Sequence, residues 1–177
     1  PRFFDENPHA NKLGWFRVSD LIISVSDSSA ADLIYLQPNL GGRVRRIHLY
    51  SSFTSESPQI RPKCINTDDA PYLLYVGSRG GYKNAAMLLR AFKASVPRRH
   101  GHQLIFAGGG ALRKRELEDI ARLGLAKHVQ QLGITDAELW YLYLNAKAIL
   151  VPSLAEGFSL PLVEGLAANT PIVCSDI

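Results

Sequence analysis

YLLYVGSRGGYKN, Tyr72 to Asn84, decides how this chain folds. Tyr72 to Val76 is an apolar run of strand length, Gly77-Ser78-Arg79-Gly80-Gly81 turns the chain, and a helical pattern runs from about Lys83 to Ser95. Downstream the same alternation recurs. Gln103 to Ala107 reads as a second strand, ending in Gly108-Gly109-Gly110 ahead of a helix to Arg122. Val129 to Leu132 is a third, weaker strand, and Thr135 with Glu138 makes a capping box for a helix to about Ala146. Ala148 to Val151, a helix over Pro161 to Ala168, and Pro171 to Cys174 complete the series. Strands alternating with helices at this spacing predict βαβ units, hence an α/β fold with a Rossmann-like parallel sheet and helices on both faces. The strands are near-continuous apolar runs, as expected when both faces are covered.

Upstream the pattern is shorter. Leu21 to Val25 is a β-rich run, Ser26 or Asp27 can cap a helix from Ser28 to about Leu36, and Val44 to Leu49 reads as another strand. Ser51 to Pro71 is polar, holds three prolines and lacks periodicity, so it reads as a linker. The expected organisation is a first-domain tail over 1–50, a hinge over 51–71 and a ligand-binding domain over 72–177. The opening Pro-Arg-Phe-Phe and the stop directly after a strand-like run read as the ends of a piece of a longer protein.

Composition excludes several classes. With 46% hydrophobic and 20% charged residues, the chain of 177 residues is globular. It has no apolar run of membrane-spanning length and shows no leader pattern, so a cytoplasmic location is expected. The net charge of +4 comes with clusters at Arg43, Arg45 and Arg46, at Arg98 and Arg99, and at Arg113, Lys114 and Arg115. These fit solvated helix ends and loops, or a surface for acidic lipids or phosphates, which would allow peripheral contact with the membrane's cytoplasmic face. No aromatic residues interleave with them, which argues against nucleic acid. Cys64 and Cys174 lack CxxC spacing and read as reduced thiols; the five His residues form no ligand pattern, and no metal is expected.

In a parallel sheet, ligands sit beyond the C-terminal ends of the strands. Three segments fall there: GSRGGYKN, the glycines after Ala107, and EGFSLPLVE, Glu156 to Glu164. The glycines of the first allow close backbone approach, Arg79 and Lys83 bring two cations, and a helix N-terminus beside them favours an anion such as a diphosphate. A Gly-rich turn carrying two surface cations is the other reading. The spacing of a P-loop is absent. A dinucleotide fingerprint starting at Gly108 and Gly110 wants glycine where Arg113 stands. The third segment sets two carboxylates eight positions apart, with Gly157, Phe158 and Pro161 between them.

Taken together, Gly77, Arg79, Lys83 and Asn84, the Gly108 turn, Leu132-Gly133, Val151-Pro152-Ser153, Glu156-Gly157-Phe158, Leu160-Pro161, Glu164 and Pro171-Ile172-Val173 give the segment from Tyr72 onward a resemblance. It is similar to the nucleotide-sugar-binding domain of family 4 glycosyltransferases, which have the GT-B fold. Ser19 to Ser26 more weakly resembles the end of that family's acceptor domain. The resemblance implies a retaining glycosyltransferase that moves a sugar from a nucleotide-diphosphate donor to a glycan or lipid-linked acceptor in polysaccharide assembly, without cofactor or metal. Arg79 and Lys83 would neutralise the diphosphate, a catalytic contribution because charge develops as the glycosidic bond breaks. Glu156, with backbone groups of Gly157, Phe158 and Ser159, would bind the donor sugar, and Leu160 would approach the phosphate. Glu164 would accept from the ribose, and Gly133, Ile134 and Thr135 would line the base pocket. Tyr82-Lys83-Asn84 and the His48-Leu49 context resemble mannosyltransferases and make GDP-mannose the first choice of donor. An epimerase of the same architecture and a noncatalytic nucleotide-sugar-binding module are the alternatives.

Departures from the family pattern are expected to matter unequally. Leu49-Tyr50-Ser51-Ser52-Phe53 stands where an Asn-Gly-Val/Ile-Asp-like stretch is usual, leaving the hinge open, whereas Ser159, Gly165 and Asn169 are milder replacements. The acceptor-side His of the family would lie upstream of Pro1, in the part of the acceptor domain expected to precede this piece.

Overall fold

In the computed structural model the described residues are 12–65 and 70–176. The first eleven residues of the expected first-domain tail, 66–69 of the expected hinge, and Ile177 lie outside them. Contacts divide the chain into two units, one of residues 1–50 with 156–159, the other of 51–155 with 160–177.

The larger unit holds five parallel strands, β3 (Tyr72–Val76), β4 (Gln103–Ala107), β5 (Val129–Leu132), β6 (Ala148–Val151) and β7 (Ile172–Cys174), in the order β5-β4-β3-β6-β7. The first of these, β3, is central, pairing Tyr72 with Gln103 on one side and Leu73 with Ala148 on the other. Its helices are α3 (Ala85–Ala94), α4 (Val96–Arg99), α5 (Lys114–Arg122), α6 (Asp136–Asn145) and α7 (Leu160–Ala167). Strand side chains alternate between faces. Tyr72, Leu74, Ile105 and Ile149 form one core with Trp140, Leu142 and Tyr143 of α6, against which Leu162 of α7 packs. Tyr75, Leu104, Phe106 and Leu150 form the other with Leu88, Leu89 and Phe92 of α3 and Ile120 of α5. Helices therefore cover both faces, as expected from the apolar strands.

Two details differ from the sequence reading. Helix α3 does not begin at Lys83: Gly81–Lys83 form a 3-10 turn, and Asn84 adopts a left-handed conformation, φ 57°, before the helix starts. Residues 96–99 form their own short helix, with Ser95 Oγ accepting from the Arg98 amide at 3.2 Å. The described part of the 51–71 segment has no helix or strand, yet it packs on this unit. Phe53 stacks on Trp140 with ring centroids 5.0 Å apart, and the Ile60 amide donates to the Ala137 carbonyl at 3.0 Å. Cys64 and Cys174 are exposed free thiols.

The smaller unit contains α1 (Lys12–Val18), β1 (Ile22–Ser24), α2 (Asp27–Leu36) and β2 (Val44–Arg46). Ser26 caps α2, accepting from the Ser29 amide at 3.1 Å. Strands β1 and β2 pair in parallel, Ile22 beside Val44 and Ser24 beside Arg46. Pairing ends there, so the strand expected to reach Leu49 stops at Arg46. Ile22, Leu40 and Val44 form the core, with Phe16, Ala30 and Leu33 against it.

Candidate functional site

At the C-terminal edge of the large sheet, the ladder runs on into the glycine turns. The Gly77 amide donates to the Ala107 carbonyl and the Gly108 amide to the Leu132 carbonyl, both at 2.9 Å. Gly77 and Gly108 have φ of 112° and 75°. The turns interlock at Gly109 (φ 69°), where a Cβ would collide with the Gly77 carbonyl oxygen and lie 2.8 Å from Arg79 Nη1. Only glycine fits there.

Arg79 is 8% exposed. Its Nε donates to Glu116 Oε1 at 3.0 Å, Nη1 to the Gly108 carbonyl at 3.0 Å, and Nη2 to the carbonyls of Gly110 and Ala111 at 2.9 and 3.0 Å. Its guanidinium also lies 5.7 Å from the Phe106 ring centroid. The cation expected at the diphosphate is thus committed within the unit, clamping the glycine turn. Burial raises the Glu116 carboxyl, but the Arg113 amide at 2.7 Å and the Arg79 guanidinium outweigh it and hold the group below the usual carboxylate range.

Lys83 ends the 3-10 turn, with Nζ 5.4 Å from the Tyr82 ring centroid. Two bonds fasten this segment to the exit of β6. The Leu154 amide donates to the Tyr82 carbonyl at 2.7 Å, and Asn84 Nδ2 to the Pro152 carbonyl at 3.1 Å. The side-chain amide of Asn84 is thereby spent on positioning, and α3 has no side-chain cap.

Glu164, half-buried on α7, accepts through Oε2 from the hydroxyl of the fully buried Tyr143 at 2.7 Å. Burial first, then the Glu164 charge, pushes the Tyr143 phenol well above its ordinary range, so it stays a neutral donor. One carboxylate oxygen is held in place, and the pair of oxygens keeps further acceptor capacity. Gly165, next to it, is buried, and a Cβ there would come within 3.1 Å of Ile172 Cδ1. The departure from alanine at this position brings α7 close to the sheet.

After β5, Gly133 is exposed and an added Cβ would meet nothing within 4 Å. Ile134 packs against the core, and the Thr135 hydroxyl is occupied by the cap of α6, 2.9 Å from Glu138 Oε2. The Thr135 amide and hydroxyl hold the Glu138 carboxyl below its usual range.

Residues 156–159 belong by their contacts to the smaller unit. Glu156 is half-buried, and a Cβ on Gly157 would approach Ser29 Oγ to 3.0 Å. Phe158 lies tilted against His48, with centroids 6.2 Å apart. Ser159 is buried and its hydroxyl has no hydrogen-bond partner among the described residues. Leu160 opens α7.

The structure therefore brings Gly77, Arg79 and Gly108 into one cluster and anchors Glu164 from beneath. Sequence reasoning missed Glu116 and Tyr143. Glu116 sits in a charged run, and Tyr143 in an apolar one, so neither carries a local signal. Among the described residues no group of three His, Cys, Asp or Glu could hold a metal ion, and no helix is long and apolar enough to cross a membrane.

The chain is similar to known proteins in sequence and in fold. The O-antigen chain mannosyltransferase B of Escherichia coli is 29% identical over 166 residues, covering 89% of this chain and 43% of that protein. The MMP alpha-(1->4)-mannosyltransferase of Mycolicibacterium hassiacum is 49% identical over 57 residues, covering 32% of this chain and 14% of that protein. Among solved structures, a mutant of S. aureus TarM, in complex with Fondaparinux, alpha-GlcNAc-glycerol and UDP, superposes with a TM-score of 0.69 at 17% identity. The match covers 96% of this chain and 31% of that one. The chain spans less than half the length of each of these relatives. The family described as glycosyl transferases group 1 matches residues 56–177. By that match the chain belongs to the glycosyl transferases group 1 family, with the Rossmann-like parallel sheet of GT-B glycosyltransferases.

Proposed function

We propose that this chain carries the donor-binding part of a retaining glycosyltransferase that transfers mannose from GDP-mannose to a glycan or lipid-linked acceptor in polysaccharide synthesis. Similarity to mannosyltransferases, including the O-antigen chain mannosyltransferase RfbU of Salmonella typhimurium, supports the sugar. UDP in the TarM complex supports a nucleotide-diphosphate donor for the fold. The observation that carries the reading is the Tyr143–Glu164 pair. A buried phenol fixes one oxygen of a carboxylate, at 2.7 Å, and leaves the other to accept from vicinal hydroxyls such as those of a ribose.

In this scheme Lys83 neutralises the diphosphate and the charge that grows on the departing nucleotide. Glu156 accepts from hydroxyls of the donor sugar, with backbone groups of Gly157, Phe158 and Ser159 beside it, and Leu160 opens the helix whose N-terminus favours the phosphate. Gly133, Ile134 and Thr135 flank the base. Arg79 acts by holding the Gly108–Gly110 turn in place, since its nitrogens are engaged by Glu116 and by backbone carbonyls. Closure against an acceptor domain would complete the site, so this chain by itself should transfer little sugar. No metal has a role in the scheme, and the protein works in the cytoplasm, at the membrane face where a lipid-linked acceptor is presented.

The test is calorimetric titration with GDP, UDP, ADP and GDP-mannose, alongside Glu164→Ala. GDP should bind in preference, and the variant should lose about 1–3 kcal/mol, the worth of hydrogen bonds to a charged group. Failure of every nucleotide at millimolar concentration, in a longer protein that includes the acceptor domain, would overturn the reading.

A further inference from the structure

A groove between α3 and α5 forms a cavity of about 330 Å³ that the proposed donor chemistry does not use. Its floor is apolar: Ala85 and Leu89 of α3, Phe106 of β4, and Leu112. Five arginines line it, Arg79, Arg90, Arg113, Arg115 and Arg122, with two acidic residues, Glu116 and Asp119. Both carboxylates are already matched. Glu116 is paired with Arg79 at 3.0 Å, and Asp119 is paired with Arg122. The side chains of Arg90, Arg113 and Arg115 make no hydrogen bond or salt bridge among the described residues. The result is a cluster of three cations, none bonded to a carboxylate, over an apolar floor.

We propose that this groove is a second ligand site, for a phosphate monoester carried on a compact apolar stem. Guanidinium forks match phosphate oxygens in pairs, and the floor offers the stem a surface that water solvates poorly. The volume lies at the small end of the range of about 300–1,000 Å³ for small-molecule sites. That suits a short stem and excludes a polymer from the cavity. Of the residues assigned to the donor, Arg79 alone lines the groove, and its nitrogens are consumed by the clamp. The site is therefore separate from Lys83 and Glu164, and it would place a phosphorylated ligand beside the helix that carries the clamp's Glu116. The same chemistry is presented by a free alkyl phosphate and by the headgroup of a phosphatidic acid.

Calorimetry of the chain at low ionic strength with monomeric hexyl phosphate tests this. Binding should be about tenfold tighter than to inorganic phosphate. It should fall about tenfold or more in Arg90→Gln/Arg113→Gln/Arg115→Gln, the loss expected for charge-assisted bonds. It should survive in the charge-matched Lys63→Gln/Lys127→Gln/Lys147→Gln. Ala86→Phe, at an exposed lining position, should block the groove with all charges kept. Sedimentation with vesicles of phosphatidic acid in phosphatidylcholine, against phosphatidylcholine alone, separates the sources. Arginine-dependent vesicle binding assigns the site to a lipid headgroup, and hexyl phosphate binding without it to a free ligand. The proposal fails if hexyl phosphate does not bind, if both triple variants weaken it equally, or if saturating GDP displaces it.

Discussion

Replacing Arg79 by Met keeps an unbranched side chain of similar reach and removes the guanidinium. The change strands the Glu116 carboxylate and takes a donor from the carbonyls of Gly108, Gly110 and Ala111, which now accept at 2.9–3.0 Å; Gly108 keeps Gln131 Nε2, at 3.4 Å. Removing one partner of a buried ion pair costs about 3–5 kcal/mol. The Arg79 side chain is 3% exposed but that of Glu116 is 22% exposed, so water recovers part of the loss. The expected cost is therefore near the lower end, about 3 kcal/mol. Glu116→Gln retains an acceptor for Arg79 and loses only the charge assistance, about 1–2 kcal/mol by the difference between charged and neutral hydrogen bonds. The Glu116 carboxyl sits below its ordinary value of about 4.5 in the folded protein. Its contribution is thus complete above about pH 4.5 and is lost as pH falls through the folded value, a dependence that Glu116→Gln should flatten. Urea unfolding at pH 7 and across the acid range measures both, as a midpoint shift at constant slope. If Arg79→Met unfolds within about 0.5 kcal/mol of the parent while nucleotide binding disappears, the guanidinium acts on the ligand and the clamp is not its role.

Two further outcomes follow from the same edge. Tyr143→Phe keeps the ring against Phe53 and removes the bond to Glu164; it should cost about 1–2 kcal/mol, and a double-mutant cycle with Glu164→Gln should be clearly non-additive by urea unfolding. Additivity would mean that the two side chains do not interact in solution. Gly109→Ala drives a Cβ into a backbone carbonyl oxygen at a left-handed position, whereas Gly110→Ala, φ 74°, meets open space. The first should lose more than the about 1–3 kcal/mol of backbone strain alone and the second should stay within it, with thermal unfolding as the readout; equal losses would show that the turns do not interlock.

Much of the sheet was legible because its inner strands β3, β4 and β6 are largely buried and bounded by glycine or polar residues. The bounds read for β3, β4, β5 and β6 are those observed, and Thr135 and Glu138 cap α6 as expected. What escaped was non-local. The left-handed Asn84 carries no Gly or Pro signal, and the carbonyl that holds its side chain belongs to Pro152, 68 residues on. Strand β2 ends at Arg46 because its partner β1 offers three residues to pair with, a limit set outside its own sequence. Arg79 illustrates the same point for the site. Its type and its place after a strand suggest an anion partner, but the carboxylate that takes it stands 37 residues later on α5. Residue type was readable; residue commitment was not.

The central place of β3 has a bearing on the entropy of ordering the chain. Its pairing with β4 closes a step of 31 residues, from Tyr72 to Gln103, while its pairing with β6 closes one of 75, from Leu73 to Ala148. The longer closure costs about 0.8 kcal/mol more, from the logarithmic growth of loop entropy with length. The half-sheet bearing the arginine clamp is thus held by short closures, and the half bearing Glu164 by a long one. The Tyr143–Glu164 bond, joining α6 to α7 across the later half, offsets that difference where the chain is most costly to gather.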